Sequence, residues 1–222
     1  ERDQRILNGD VLLILPPHPA TLLTTLAPFQ AWEELEAAGL PGEAQSSPRR
    51  AGAPPYMAAA YDGVSDPAGF TRIEPAAFAD GTQLEGWRAR RVGPRLRIST
   101  LWRVTDPPPA QTTQQFHHLR GAAALTGEPL AVSDVPLSLH TWQVGDRVIV
   151  MADFFEIDAG EYWIDVGHYT LPDVARVPRA DGGDSAVADC QRGRARSRVV
   201  KRDDAGVVQD ALDHGAVCRA SS

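Results

Sequence analysis

Apolar and polar residues alternate most regularly between Arg95 and Val104. Leu96, Ile98, Thr100, Trp102 and Val104 fall on one phase; Arg95, Arg97, Ser99 and Arg103 fall on the other. Successive side chains of a strand point to opposite faces, so this pattern predicts a strand with one apolar face. The same period returns on either side. Leu84, Gly86 and Ala89 flank Trp87 in a short strand that follows the turn signal Asp80-Gly81. Gln114 to Arg120 sets Phe116 and His118 on one side, His117 and Leu119 on the other. Glu128 to Leu139 is extended but broken by Pro129 and Pro136, which confines it to a sheet edge. Gly145-Asp146 leads into the apolar run Val148 to Phe155. Asp158-Ala159-Gly160 then turns into Glu161 to Tyr169, where Tyr162, Ile164, Val166 and His168 oppose Glu161, Trp163, Asp165 and Gly167. Strands separated by turns, with no helix between them, predict a mainly β chain built as an antiparallel β-sandwich, immunoglobulin-like or jelly-roll-like.

The first 60 residues follow a different rhythm. Val11 to Leu15 is a continuous apolar run, the signature of a strand buried on both faces in a parallel or mixed sheet. Leu22, Leu26, Phe29, Trp32 and Leu35 recur at mainly three- and four-residue spacing, which predicts an amphipathic helix over Thr21 to Ala38, interrupted or restarted at Pro28 and stopped by Gly39. Residues 41–56 are rich in Pro, Gly and Ser and predict a loop. The expected organisation is a small α/β segment over 1–60 and the sandwich over 61–180.

Composition adds a boundary. Every proline, aromatic residue and glutamate precedes Asp181, while both cysteines, Cys190 and Cys218, follow it. Acidic and basic groups balance within residues 181–222, so the net charge of -7 belongs to residues 1–180. A flexible or atypical tail over 181–222 is therefore expected. Two cysteines in that tail supply neither zinc-ligand spacing nor a disulfide framework.

A net negative chain lacks the basic footprint of a nucleic-acid binder, and the cluster Arg192 to Arg202 has no interleaved aromatics. No run approaches the ~18 apolar residues of a membrane span. The opening Glu1-Arg2-Asp3-Gln4-Arg5 is not followed by a signal-peptide core, and with Glu1 in place of Met it suggests a processed or excised piece of a longer protein.

Several of the strand motifs are similar to those of a known family. The stretches FADGTQLEGWRAR, GPRLRISTLWRV, QQFHHLRG, TWQVGDRVIV and GEYWIDVGHYTLPD resemble successive strands of the extracytoplasmic C-terminal β-sandwich of bacterial phospholipid-carrier-dependent membrane glycosyltransferases, the enzymes like the protein mannosyltransferases. NGDVLLILPP resembles the strand that opens the α/β segment of such proteins. Val144 and Asp146 depart from the pattern, which has proline and glutamate there. The resemblance implies an extracytoplasmic, membrane-associated accessory domain. Catalytic acids of that family belong to its membrane part, so the resemblance carries no catalytic residue onto this sequence.

The residues themselves offer little chemistry. His117 and His118 are adjacent on a strand and point to opposite faces, so they cannot jointly chelate one ion without a bulge. A metal site would need His118 with His168 or His140 and a carboxylate such as Asp153 or Asp165. No His-Glu-x-x-His, nucleophile elbow or phosphate-binding loop is present, and no cofactor is expected. Aromatic residues support a binding function better, because the C–H faces of sugars rest on rings while polar neighbours bond their hydroxyls. Trp163, Trp87, His118 and Tyr169 are the candidates, with Trp163 expected to be exposed beside Glu161 and Asp165. Two functions follow as expectations: a non-catalytic accessory domain that recognises a glycan or lipid-linked sugar, or a structural subunit that pairs with a protein partner near the membrane through an edge strand such as Glu128 to Leu139.

Overall fold

A computed structural model describes residues 67–121, 128–137, 139–158, 160 and 162–186 in full, together with the backbone of strands within 3–61 and at 187–189. The strands are β1 (Asp3–Leu7), β2 (Leu12–Leu15), β3 (Ala20–Thr24), β4 (Ala44–Ser46), β5 (Met57–Tyr61), β6 (Thr71–Ala77), β7 (Thr82–Val92), β8 (Arg95–Val104), β9 (Thr113–Gly121), β10 (Ala131–Leu137), β11 (Arg147–Phe155), β12 (Tyr162–Thr170), β13 (Ala175–Arg176) and β14 (Ala186–Asp189). Among the described residues one 3-10 turn, Leu139–Thr141, precedes β11.

Two antiparallel sheets form the sandwich. The first has the order β2-β11-β8-β7-β6; the second runs β10-β9-β12-β13, with β14 pairing farther along the same edge of β12 as β13. Alternation along the strands decides what each sheet turns inward. Leu96, Ile98, Trp102 and Val104 of β8, Leu119 of β9 and Ile164 and Val166 of β12 share one continuous core. Arg91, near the end of β7, reaches across to the backbone carbonyls of Ile157 and Asp158.

The second face of the first sheet is buried as well. Leu101, Ile149 and Met151 lie on it, fully or almost fully buried, and Asp153 receives a two-pronged bond from Arg97 (Nε–Oδ1 2.8 Å, NH2–Oδ2 2.9 Å) and a third from Arg95 at 2.9 Å. Charge-assisted forks of this kind fix geometry as well as charge. Asp153 is thereby committed to the sheet.

A bulge explains why β7 does not keep one phase. Glu85 and Gly86 together oppose Leu101, so Leu84 and Trp87, three positions apart, both face the core. Gly86 is required there, because a Cβ would lie 2.8 Å from the carbonyl oxygen of Thr71 on β6. The strand is consequently longer than the alternation around Trp87 predicts.

The mainly β, two-sheet reading holds, and β10 is an edge strand as its prolines require. Three expectations change. The apolar run at Val11 to Leu15 contributes β2, an antiparallel edge strand with Leu12 opposite Val150 and Leu15 opposite Arg147. It is neither parallel nor central: it pairs antiparallel with β11 and ends the strand order among the described residues. Residues 21–24, the start of the predicted helix, lie in β3, which pairs parallel with β1 and antiparallel with β5. The rest of that helix falls outside the described residues, as do the predicted tail beyond 189 and both cysteines. Finally, the sheet continues past residue 180: Ala186 is buried in the core and β14 pairs with Trp163 to Val166. No proline or aromatic residue marks this strand, so composition misses it.

Candidate functional site

Two groups of polar side chains stand out, one inside the sandwich and one on its surface. Inside, His168 projects from the core face of β12, and its Nδ1 lies 2.6 Å from Oδ2 of Asp80 in the β6–β7 turn. The two residues belong to opposite sheets. Asp80 is fixed by its other oxygen, which accepts from the Thr82 amide at 3.1 Å and the Thr82 hydroxyl at 2.7 Å. The imidazole stacks on Trp102 with centroids 4.3 Å apart and lies 5.5 Å from the Phe78 ring. Burial pushes the Asp80 carboxyl up, but the bonds from His168 and Thr82 outweigh it and hold it below the usual carboxylate range. An aspartate–histidine pair suggests acid–base chemistry, yet such a group must come within hydrogen-bond reach of a substrate proton. The His168 side chain is 0% exposed and Asp80 3% exposed. The pair is a clamp between sheets.

Beside it runs a second buried chain. Gln115 donates to Thr100 Oγ1 at 2.8 Å and lies 2.8 Å from His117 Nε2; Trp102 also donates to Thr100 Oγ1, at 2.9 Å. His117 Nδ1 is 3.2 Å from the Ser133 carbonyl oxygen. A carbonyl only accepts, so Nδ1 carries the proton and Nε2 accepts from the Gln115 amide. The network thereby selects the neutral imidazole. Burial is the main cause that pushes the His117 pKa down to about 3.

The surface group lies on the opposite, outer face of the second sheet. Register sets His118 of β9 beside Asp165 of β12, Phe116 beside Gly167, Gln114 beside Tyr169 and Arg120 beside Trp163. Val132 and Asp134 of β10 extend the row past His118 and Phe116, and Arg176 of β13 extends it past Tyr169. Asp165 lies 3.6 Å from Arg120 and 4.0 Å from His118 Nδ1. Burial lowers the His118 pKa, and the Arg176 and Arg120 charges add to this against the opposing pull of Asp165 and Asp134. His118 is thus neutral at pH 7, with one nitrogen to donate and one to accept. The Tyr169 hydroxyl sits 2.9 Å from Asp134 Oδ2 and 2.5 Å from Gln114 Oε1. Having one proton, it serves one of these at a time. Desolvation and Asp134 raise its pKa, so it stays a donor.

Gly167 makes the row continuous. Phe116 lies across it so closely that a Cβ would fall 2.6 Å from Phe116 Cζ and 2.8 Å from the carbonyl oxygen of Asp184. Above the ring, the Arg176 guanidinium sits 3.6 Å from the centroid. Gly167→Ala is expected to cost about 1–3 kcal/mol of stability, the usual penalty of overpacking. Urea unfolding checks this; a loss below 0.5 kcal/mol (about the scatter of a neutral surface change) contradicts the close approach.

Of the four residues singled out by sequence, three share this face: Trp163, His118 and Tyr169. Trp87 lies apart from them, 6% exposed in the core face of the first sheet, so it is not available to a ligand on this surface. Trp163 keeps the predicted phase with Asp165 but is only 8% exposed, which corrects the expectation of an open platform. The edge that would leave it open is occupied by β14. His118 is half-buried beside Asp165, whereas His168 is turned to the core and His140 lies exposed in the 3-10 turn. Among the described residues no three histidine, cysteine, aspartate or glutamate side chains gather as a metal site.

Sequence reading missed Arg176, Asp134, Gln114 and Phe116 as part of this surface. One signal was there: a glycine inside a strand marks a close approach, and Gly167 pairs with Phe116. The described residues contain no helix long and apolar enough to cross a membrane. Comparison with protein-family models, with curated proteins and with solved structures finds no match for this chain.

Proposed function

We propose that this chain is a non-catalytic recognition module that holds a glycan on the outer face of its second sheet. The observation that carries the reading is the convergence of Trp163, His118 and Tyr169 on that face, interleaved with Asp165, Asp134 and Gln114. Carboxylates and an amide accept from sugar hydroxyls, and a neutral imidazole both donates and accepts. The strand motifs similar to the carrier-dependent glycosyltransferases extend the proposal: an extracytoplasmic accessory domain that presents a glycan or lipid-linked sugar to a membrane partner. Screening the protein on a glycan array tests this. Specific binding is expected, weakened at least tenfold by His118→Ala combined with Asp165→Asn. An array with no specific signal, or binding indifferent to both substitutions, contradicts it.

A second reading has its own support. Among the described residues β10 is the free edge of its sheet, and Leu130 and Val132 beside and on it are 64% and 60% exposed. Open edges with apolar residues pair with other chains, so an interaction subunit that docks a protein partner along β10 is the alternative.

A further inference from the structure

The stacked arginine of the outer face points to the kind of glycan. Arg176 belongs to the two-residue strand β13, opposite Tyr169, and its side chain is exposed to solvent. Its guanidinium lies over the Phe116 ring at 3.6 Å, and Phe116 in turn lies on the bare backbone of Gly167. This stack consumes the flat face of the guanidinium and holds its plane in place. It does not consume the donors, which radiate within that plane. Among the described residues no hydrogen-bond acceptor takes any of them.

The neighbouring carboxylates are engaged elsewhere. Asp165 is paired with Arg120 at 3.6 Å, and Asp134 faces the Tyr169 hydroxyl at 2.9 Å. Arg176 is therefore a fixed, charged fork with its edge free, next to a row of groups suited to hydroxyls. A carboxylate is the planar partner that such a fork bonds with two parallel N–H···O contacts. One ligand class satisfies both halves of the surface: a sugar that carries its own carboxylate.

Resting on the glycan reading above, we infer that the outer face recognises acidic sugars, with the sugar carboxylate on Arg176 and the ring hydroxyls on His118, Asp165 and Asp134. Arg176 then sets specificity, while the His118 row sets general affinity for the sugar.

The experiment uses oligomers of galacturonic acid, glucuronic acid and sialic acid, each as the free acid and as the neutral methyl ester, titrated into the intact chain by calorimetry. At least one acid form is expected to bind ten times or more as tightly as its ester. Arg176→Lys, which keeps the charge and loses the planar fork, is expected to abolish that preference, read as an acid-to-ester affinity ratio that falls to about one. Sodium acetate at equal carboxylate concentration is expected to give no saturable binding, which separates a sugar site from an anion site. Equal affinity for acid and ester, or a preference that survives Arg176→Lys, overturns this inference. If the ester still binds and remains sensitive to His118→Ala, the glycan reading stands while the acidic specificity falls. Because Arg176 is exposed, its variant is expected to fold, with an unfolding midpoint within the error of the parent chain.

Discussion

His168→Ala is expected to lower the unfolding free energy by about 1.5–3 kcal/mol, the worth of a hydrogen bond to a buried carboxylate. The residue left behind is Asp80, 3% exposed, whose carboxyl would keep only Thr82 as partner. The variant also loses the stacking of the imidazole on Trp102 and Phe78 across the sheet interface. Urea denaturation at pH 7 measures the loss, and a difference below 1 kcal/mol would show that the clamp is not holding the sheets. A pH dependence sharpens the result. Because the folded Asp80 carboxyl lies below its ordinary value of 3.8, its contribution is complete above that value and is lost as pH falls through the folded pKa. In His168→Ala, burial acts on the carboxyl with less opposition, so acid neutralises it and relieves the variant. The gap between parent and variant is expected to narrow as pH drops below about 4.

The second large effect comes from His117, and its sign is also set by burial. Its folded pKa is about 3 against 6.5 in the open chain, so the unfolded protein takes up a proton that the folded protein refuses. Stability from this group is fully present above pH 6.5 and is lost as pH falls toward 3, by up to about 1.4 kcal/mol per pH unit. His117→Gln offers the same two bonding directions, to Gln115 and to the Ser133 carbonyl, without a proton to gain. The variant is expected to unfold with a flatter dependence between pH 6 and pH 4. Parallel profiles for the two proteins in that window would contradict the neutral, buried imidazole.

Strand alternation made much of this architecture legible. The phases of Arg95 to Val104 and Glu161 to Tyr169 are those of β8 and β12: alternation reports which residues share a face, but not that the other face of β8, with Arg97, Ser99 and Leu101, is buried too. The same rule separated His117 from His118, one now inside the sandwich and one on its surface. Where a position depends on what lies beside a strand, the pattern fails. Nothing in Trp163 itself reveals that β14 runs along its edge, so its burial was not legible. The phase of Trp87 was hidden by the Glu85–Gly86 bulge, which turns the ring inward. The run at Val11 to Leu15 is apolar whether it sits in the centre of a sheet or at its margin, and only pairing with β11 places it. Arg176 sits on a strand of two residues, too short to carry any period. Its place over Phe116, which itself lies against Gly167, appears only in the folded chain.

The proposed ligand surface is the outer face of the second sheet, not its core or its β10 edge. Amide-resolved NMR titration of the intact chain with the glycan that binds most tightly on an array addresses it directly. Shifts confined to the surroundings of His118, Asp165, Tyr169 and Arg176, with Ala131 to Val135 of β10 unmoved, are the predicted result. Shifts that follow β10 instead, or none at saturating glycan, would place binding elsewhere and overturn this proposal.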